Sequence, residues 1–347
     1  MILLDRLNIK HPIFLAPMAG VSTPELAAEV TNQGGLGSLG IGASSIESAR
    51  TQILRTKQLT DGAFQLNFFC HAPTELNISE NTAWIQNITP HFEKFGAVPP
   101  RELKCIYPSF LDDDEFLNLV LETQPKAVSF HFGIPHAYQI QQLKDADIIT
   151  MVSATNLAEA LAIEAAGIDI IIAQGIEAGG HRGIFNQTFD AAIKTADLVQ
   201  LIKQHCSLPI VAAGGIMNGQ QAKTMLNFGA EAVQLGTAFV QCKTSSANVA
   251  YRQALFNHPL TQITASISGR PARGLINHWH TQVDLPNRPH VAAYPYAYDL
   301  AKQLNLLALK NGDNGYGAFW AGSNVAQIRK LEAPDLINQL VLEMNQC

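Results

Sequence analysis

One local pattern occurs three times in this sequence of 347 residues and limits the folds open to the chain. A short apolar run leads to a helix N-cap residue, with Glu or Gln three positions later. An amphipathic segment follows and ends at glycine, and a second apolar run begins. The pattern predicts strand, helix and parallel strand, joined by right-handed crossovers. The copies span 13–39, 148–173 and 209–235.

The apolar runs that qualify as strands predict a closed barrel. They are apolar on both faces rather than alternating, so helices should cover both sides of the sheet. Eight strand–helix units close an α/β fold of the (β/α)8 TIM-barrel type. An open, doubly wound sheet is the alternative, but most such sheets need fewer similar units. The eight candidate strands are 13–18, 35–40, 63–69, 127–132, 147–153, 169–174, 209–214 and 232–238.

Two stretches, 70–126 and 243–305, do not follow the repeat. The acidic run within the first stretch is typical of a solvated helix start rather than a metal site. The second stretch is rich in His, Pro, Tyr and Arg and has little strand pattern. It predicts a small, mostly helical substrate-binding domain inserted after the eighth strand. The barrel domain would then comprise 1–242 and 306–347, whose tail supplies the last barrel helix.

Composition and charge exclude several classes of protein. The net charge is -6 and no basic run occurs, which disfavours a nucleic-acid surface. No run of about 18 apolar residues predicts a membrane span, and charge appears too early after Met1 for a secretory leader. The cysteines lack the spacing of a disulfide framework or zinc site. We expect a cytoplasmic protein, monomeric or homodimeric, without a metal; its cysteines are Cys70, Cys105, Cys206, Cys242 and Cys347.

The loops after the seventh and eighth strands predict a phosphate site. They contain Gly214-Gly215 and Gly236-Thr237, and these two loops commonly bind phosphate in a TIM barrel. Glycine lets the backbone approach an anion, and backbone N–H groups bind it. The same glycines would also suit simple tight turns. Because both glycine pairs occur in the two loops that bind phosphate in other TIM barrels, we favour a phosphate site.

Other strand ends carry side chains suited to a flat ring and a reactive group. Met18, Asn67 and Gln174 could lie beside a ring across the barrel mouth. Amides both donate and accept, as the pyrimidine edge of a flavin requires, whereas Met18 alone would also suit a core. His181 in a glycine-rich loop and His131 at the fourth strand end predict catalysis or ligand contact.

Tyr294, Tyr298 and Lys302 follow one another at intervals of four residues. On a helix they would share a face. Two phenols and an ammonium suit a small carboxylate or nitronate anion. The alternative is an exposed amphipathic face with a snorkelling lysine.

The sequence resembles the nitronate monooxygenase family, formerly called 2-nitropropane dioxygenase, in segments 16–20, 34–37, 173–183, 212–216 and 234–237. The resemblance implies an FMN-bound barrel in which His181 is the active-site histidine. The residues it places against FMN are Met18, Asn67, Gln174, Gly179, Gly180, Gly214, Gly215, Gln234, Leu235, Gly236 and Thr237.

The resemblance also implies a substrate and a reaction. Tyr294, Tyr298 and Lys302, with His131 and Tyr107, would contact a small anionic alkyl nitronate such as propionate 3-nitronate. O2 would oxidise it to the aldehyde with nitrite and nitrate. The main alternative is an FMN-dependent NAD(P)H reductase, of the enoyl-acyl-carrier-protein or quinone type, on the same barrel. A phosphate-binding barrel without flavin and a non-catalytic binding module are further alternatives.

Overall fold

A computed structural model describes residues 3–257 and 259–346. Each of the eight predicted barrel strands is present. Three further short strands lie outside the barrel. In chain order the strands are β1 (Ile13–Leu15), β2 (Gly37–Gly40), β3 (Phe64–Phe69), β4 (Ala127–His131), β5 (Ile149–Ala154), β6 (Ile170–Gln174), β7 (Gly180–His181), β8 (Ile210–Ala213), β9 (Ala232–Leu235), β10 (Thr261–Thr264) and β11 (Ala272–Leu275).

The eight barrel strands form one parallel sheet in the order β1-β9-β8-β6-β5-β4-β3-β2. The two ends of this order meet just before β2. Leu15 N donates to Leu36 O at 2.9 Å, and Leu36 N donates to Ile13 O at 2.9 Å. The sheet is therefore closed, which confirms the TIM barrel and rules out the open sheet.

Twelve α-helices occur among the described residues. In the three repeated units the N-cap side chain of Thr23, Asn156 or Asn218 accepts a hydrogen bond from the N3 amide. The predicted Glu or Gln stands three positions after Asn156 and Asn218, but Leu26 stands three positions after Thr23, so the first helix begins one residue later than the pattern predicts. Each such cap is worth about 1 kcal/mol. The helices are α1 (Leu3–Leu7), α2 (Pro24–Asn32), α3 (Ile46–Leu59), α4 (Ile78–Glu93), α5 (Glu115–Thr123), α6 (Ala137–Asp145), α7 (Leu157–Ala165), α8 (Thr195–His205), α9 (Gly219–Asn227), α10 (Val249–Asn257), α11 (Tyr296–Lys310) and α12 (Ala333–Asn345).

Alternate side chains of the strands fill the two layers of the core. Phe14 and Met151 lie in a cluster inside the barrel, and their neighbours Ile13 and Val152 pack against the helices. This alternation explains why the strands are apolar on both faces. Since the barrel interior is packed, ligand space lies at its rim. The tail helix α12 packs on α2 and α9 and completes the helical layer.

The two stretches outside the repeat share a second hydrophobic core. Helix α4 of the first stretch packs against α11 of the second, with Trp84 and Leu300 fully buried. The expectation of a mostly helical insertion missed a three-stranded antiparallel sheet, β10-β11-β7. In addition, α11 runs to Lys310, past the predicted boundary at 305.

Several simpler expectations can be compared with the described part of the chain. Its four cysteines are free, and Cys347 lies outside the described residues, as does Met1. No described helix is long and apolar enough to cross a membrane. Within residues 3–257 and 259–346, no three His, Cys, Asp or Glu side chains group as metal ligands. The acidic run does begin a helix, with Asp114 as the N-cap of α5.

Candidate active site

A cavity of about 760 Å³ opens at the carboxyl ends of the barrel strands. Its volume lies within the usual range of small-molecule sites, roughly 300–1,000 Å³. Among the described residues that line it there is no Asp or Glu. The predicted site residues that line it are Met18, Asn67, Tyr107, His131, Gln174, Gly179, Gly180, His181, Gly214, Gly215, Gln234, Gly236, Thr237, Tyr294, Tyr298 and Lys302.

Leu235 is the predicted site residue whose side chain does not reach the cavity. It is 1% exposed and belongs to the core between the strands and the helices. Successive side chains of a strand point to opposite faces, so Gln234 lines the cavity and Leu235 faces away. The Leu235 carbonyl accepts a hydrogen bond from Ala16 N at 2.8 Å. The Leu235 side chain therefore faces away from the cavity, and the contact of this residue with FMN stays a prediction.

The glycine loops after β8 and β9 leave space and donors for an anion. Gly214 and Gly215 have φ angles of +126° and +69°, which L side chains adopt only with strain. A Cβ on Gly215 would lie 2.9 Å from Glu177 Cβ. The amides of Gly214, Gly215 and Gly236 donate to no other described residue. Free N–H groups on glycines that border a cavity without carboxylates fit a phosphate group.

Two amide side chains at the strand ends are held in place by hydrogen bonds. Asn67 Nδ2 donates to Ser129 Oγ at 2.9 Å, and no described residue donates to its side-chain oxygen, Oδ1. Gln174 Nε2 donates to His181 O at 2.9 Å, and Gln174 Oε1 accepts from Gly183 N at 2.7 Å. Asn67 therefore offers an acceptor, and Gln174 one remaining N–H, to a ring at the barrel mouth.

His181 belongs to β7, which pairs with β11 of the inserted stretch. Its Nε2 lies 2.8 Å from Ser268 Oγ, and its ring centroid lies 5.3 Å from that of Trp320. Burial lowers the pKa of His181 to about 3, and the charges of His131 and Arg270 act in the same direction. The imidazole is therefore neutral near pH 7.

His131 uses both ring nitrogens within the protein. Nδ1 lies 3.0 Å from Ser153 Oγ, and Nε2 lies 3.1 Å from the carbonyl oxygen of His181. Because a carbonyl only accepts, Nε2 carries the hydrogen and donates. Burial lowers the pKa of His131 to about 4. Its ring borders the cavity, but its hydrogen bonds fix the backbone of His181.

The two tyrosines and the lysine that were expected on one face of a helix do not all belong to a helix. Tyr298 and Lys302 lie on α11, whereas Tyr294 precedes the helix, which begins at Tyr296. The prediction that all three residues share one helical face is thus wrong for Tyr294. Its side chain still lines the cavity together with the other two and with Tyr107.

Aromatic contacts connect these residues across the two irregular stretches. Lys302 Nζ lies 4.7 Å from the Tyr107 ring centroid and 5.6 Å from that of Tyr298. Burial raises the pKa values of Tyr107, Tyr294 and Tyr298, so the phenols stay protonated and can donate. Partial burial lowers the pKa of Lys302, while the Asp299 carboxylate opposes this shift.

The sequence reasoning missed residues that complete the site. Arg182 is fully buried, forms an ion pair with Asp190 at 2.7 Å, and donates to Gly175 O at 2.7 Å. It thereby fixes the loop that carries His181. Trp320 and Ser268 contact the His181 ring from distant parts of the chain. Arg182 could have been found because it follows His181 directly, whereas the sequence carries no local signal for the other two.

The closed barrel and its cavity define a protein of the TIM-barrel class with a small-molecule cavity at the strand ends, the usual place of the active site in this fold. The family model for nitronate monooxygenase matches residues 1–343. Nitronate monooxygenases of Paraburkholderia phytofirmans and Pseudomonas aeruginosa are 50% and 48% identical to this chain. These alignments cover 99% and 97% of this chain, and 95% and 97% of the relatives.

A solved structure shares the fold along nearly the whole chain. The nitroalkane oxidase of Streptomyces ansochromogenes aligns with a TM-score of 0.90 and 35% identity. The alignment covers 99% of this chain and 98% of the other. The chain belongs to the nitronate monooxygenase family.

Proposed function

We propose that this protein oxidises small anionic alkyl nitronates, such as propionate 3-nitronate, with O2 and a bound FMN. The products are the aldehyde, nitrite and nitrate. The observation that carries the proposal is the chemistry of the cavity wall. Lys302 and five tyrosines line it, among them Tyr107, Tyr294 and Tyr298, and no carboxylate does among the described residues. Such a wall attracts an anion and offers it hydrogen-bond donors.

The donors at the strand ends fit FMN. The free amides of Gly214, Gly215 and Gly236 would hold its phosphate. Asn67 and Gln174 would contact the pyrimidine edge of its ring, with Met18 beside it. When bound, FMN would supply the redox chemistry between the substrate and O2.

The aromatic wall would bind and orient the nitronate. Lys302 supplies a positive charge at the rim, and the protonated hydroxyls of Tyr107, Tyr294 and Tyr298 can donate to nitronate or carboxylate oxygens. These groups also exclude water from one side of the substrate. The Ser268 hydroxyl fixes the orientation of the His181 ring, whose Nδ1 has no partner among the described residues.

The low pKa of His181 bears on the choice between a nitronate and its neutral nitroalkane. A neutral imidazole with a pKa of about 3 is a weak base for a carbon acid. A nitronate needs no proton abstraction, because its carbon is already deprotonated. His181 therefore acts as a neutral hydrogen-bonding group toward the nitronate, and His131 positions it through the 3.1 Å bond to its carbonyl oxygen.

The NAD(P)H reductase alternative has less support than the family assigned above. The nitronate monooxygenase model extends over residues 1–343, and the relatives at 48–50% identity carry that name.

O2 consumption and nitrite release, measured with the purified holoenzyme, test the proposal. Propionate 3-nitronate should support both. Its conjugate acid 3-nitropropionate, which is protonated at the nitro-bearing carbon and keeps its carboxylate, should react far more slowly when added at a pH where it persists. A parallel assay with NADPH and a quinone tests the reductase alternative. Turnover of NADPH and quinone without any reaction of the nitronate would replace the proposal with the reductase alternative.

A further inference from the structure

Arg270 is a buried cation behind the aromatic wall of the cavity. Its side chain is 1% exposed, and its Nη1 donates to Ile184 O at 3.2 Å. Among the residues that the structure describes, Nε has no hydrogen-bond partner, and no Asp or Glu forms an ion pair with this guanidinium. The fully buried Arg182, by contrast, is paired with Asp190 at 2.7 Å.

An unpaired buried charge lowers the stability of the folded protein, so the surroundings of Arg270 indicate what the charge does. The Arg270 Cζ lies 4.2 Å from the Phe132 ring centroid and 5.8 Å from that of Tyr294. The Phe132 centroid lies 5.7 Å from that of His181. One ring thus separates the guanidinium from the active-site histidine.

The same cluster holds further polar atoms without partners. The Tyr294 hydroxyl and His71 Nδ1 are buried and make no hydrogen bond to any described residue, and the centroids of the two rings lie 5.1 Å apart. The Ile184 carbonyl and the Phe132 ring contact the guanidinium, but no carboxylate among the described residues neutralises its charge. Its field extends through low-dielectric side chains toward the cavity, where it is weakly screened.

We propose that Arg270 is a positioning residue that keeps a permanent positive potential behind Phe132 and Tyr294 and makes the cavity select anions over neutral analogues of the same shape. Arg270 does not line the cavity, so it acts through the wall and not by touching the ligand. The identity of the anion as a nitronate rests on the proposed function, whereas the preference for negative charge does not.

The groups that respond to this charge can be named. His71, His131, His181 and Tyr294 lie within its electrostatic reach. Besides Arg270, Arg182 acts on His131, and Asp112 acts on His71 in the opposite direction. The pKa of Arg270 itself is lowered to about 10 by burial, which leaves it charged at neutral pH. Removal of this charge should raise the pKa of His181, because protonation of the imidazole would meet less repulsion.

The test compares Arg270→Met and Arg270→Lys with the wild-type holoenzyme, and Lys310→Met serves as a surface-charge control. Inorganic nitrate, a planar oxyanion, and nitroethane, a neutral nitro compound, are the two probes, and their Kd values are measured by calorimetry. Arg270→Met should weaken nitrate binding roughly tenfold and nitroethane binding less than twofold. Arg270→Lys should stay within about threefold for both probes, and Lys310→Met should match the wild type.

Two further results would overturn the proposal. The first is equal weakening of both probes in Arg270→Met, and the second is a tenfold loss of nitrate affinity in Arg270→Lys, which keeps the charge. NMR titration of the His181 ring gives an independent readout, since its pKa should rise in Arg270→Met and not in Arg270→Lys. If Arg270→Met does not fold, the Lys variant alone decides. If the wild-type enzyme turns over the nitronate but Arg270→Met binds nitrate as tightly as wild type does, the proposed function stands and only this inference is refuted.

Discussion

Among the described residues that line the cavity, Lys302 is the single lysine, and there is no Arg, Asp or Glu. Replacement of Lys302 with methionine removes this charge. Methionine retains most of the length of the aliphatic stem and lacks the ammonium group. The substitution should therefore weaken the binding of anions and leave the aromatic wall in place. Turnover at saturating substrate should change much less than the KM for the nitronate.

The size of the effect follows from the position of the ammonium. Lys302 Nζ lies 4.7 Å from the Tyr107 ring centroid, so an anion held by the tyrosines would lie at a similar distance. Two unit charges about 4 Å apart interact by ~1 kcal/mol in water and ~4 kcal/mol at an effective dielectric constant of ~20. Because Lys302 is exposed at the rim, we expect about 1–2 kcal/mol, or roughly a 5- to 30-fold rise in KM.

Steady-state O2 consumption over a range of nitronate concentrations measures this effect. Lys310→Met is the matched control, because Lys310 is an exposed lysine at the end of the same helix. Added salt should narrow the difference between wild type and Lys302→Met, since it screens the rim charge. A KM for Lys302→Met within twofold of wild type would refute the electrostatic role assigned to Lys302.

Three other predictions concern the cofactor site and the histidines. Gly215→Ala should reduce the FMN content of the purified protein, because the new Cβ would lie 2.9 Å from Glu177 Cβ. Gly312→Ala is the control: Gly312 also has a positive φ but no atom near its Cβ position, so this variant should retain FMN. Equal loss of FMN in both variants would show that backbone strain alone is responsible. His181→Asn should keep FMN and lose most turnover, and unchanged kinetics would remove His181 from the mechanism. The pKa of His181 is about 3 when folded and near 6.5 when unfolded, so the unfolded chain binds more protons below about pH 6.5 and stability falls as the pH drops toward 3. Urea unfolding at pH 7.5 and pH 5 should show a smaller loss for His181→Asn than for wild type, by about 1–2 kcal/mol, and an equal loss would contradict the burial argument.

The barrel was predictable because its signals are local. Thr23 and its equivalents cap helices within a few residues of their own strand, and glycine ends those helices. The strand ends then follow from the barrel, since parallel strands bring their carboxyl ends to one rim. This is why residues as far apart in sequence as Met18 and Thr237 were expected together and line one cavity.

What the sequence did not show depends on contacts between distant segments. Strand β7 has two residues, Gly180 and His181, and its partner in β11 is about 90 residues away, so no periodicity could indicate it. Tyr294 fits a helical spacing but precedes the helix, which begins at Tyr296. The lack of a carboxylate beside Arg270 is visible only when its neighbours are known, because the sequence does not show which residues surround it.

The visible absorption spectrum of the purified protein without oxygen tests the central claim most directly. The spectrum is recorded for two samples, and propionate 3-nitronate is then added to the first and NADPH to the second. We expect a flavin spectrum that changes on addition of the nitronate and stays unchanged with NADPH. Bleaching by NADPH without any response to the nitronate would contradict the proposed activity. A colourless protein that also fails to take up added FMN would contradict the assignment of the glycine loops to a phosphate and of Asn67 and Gln174 to a ring.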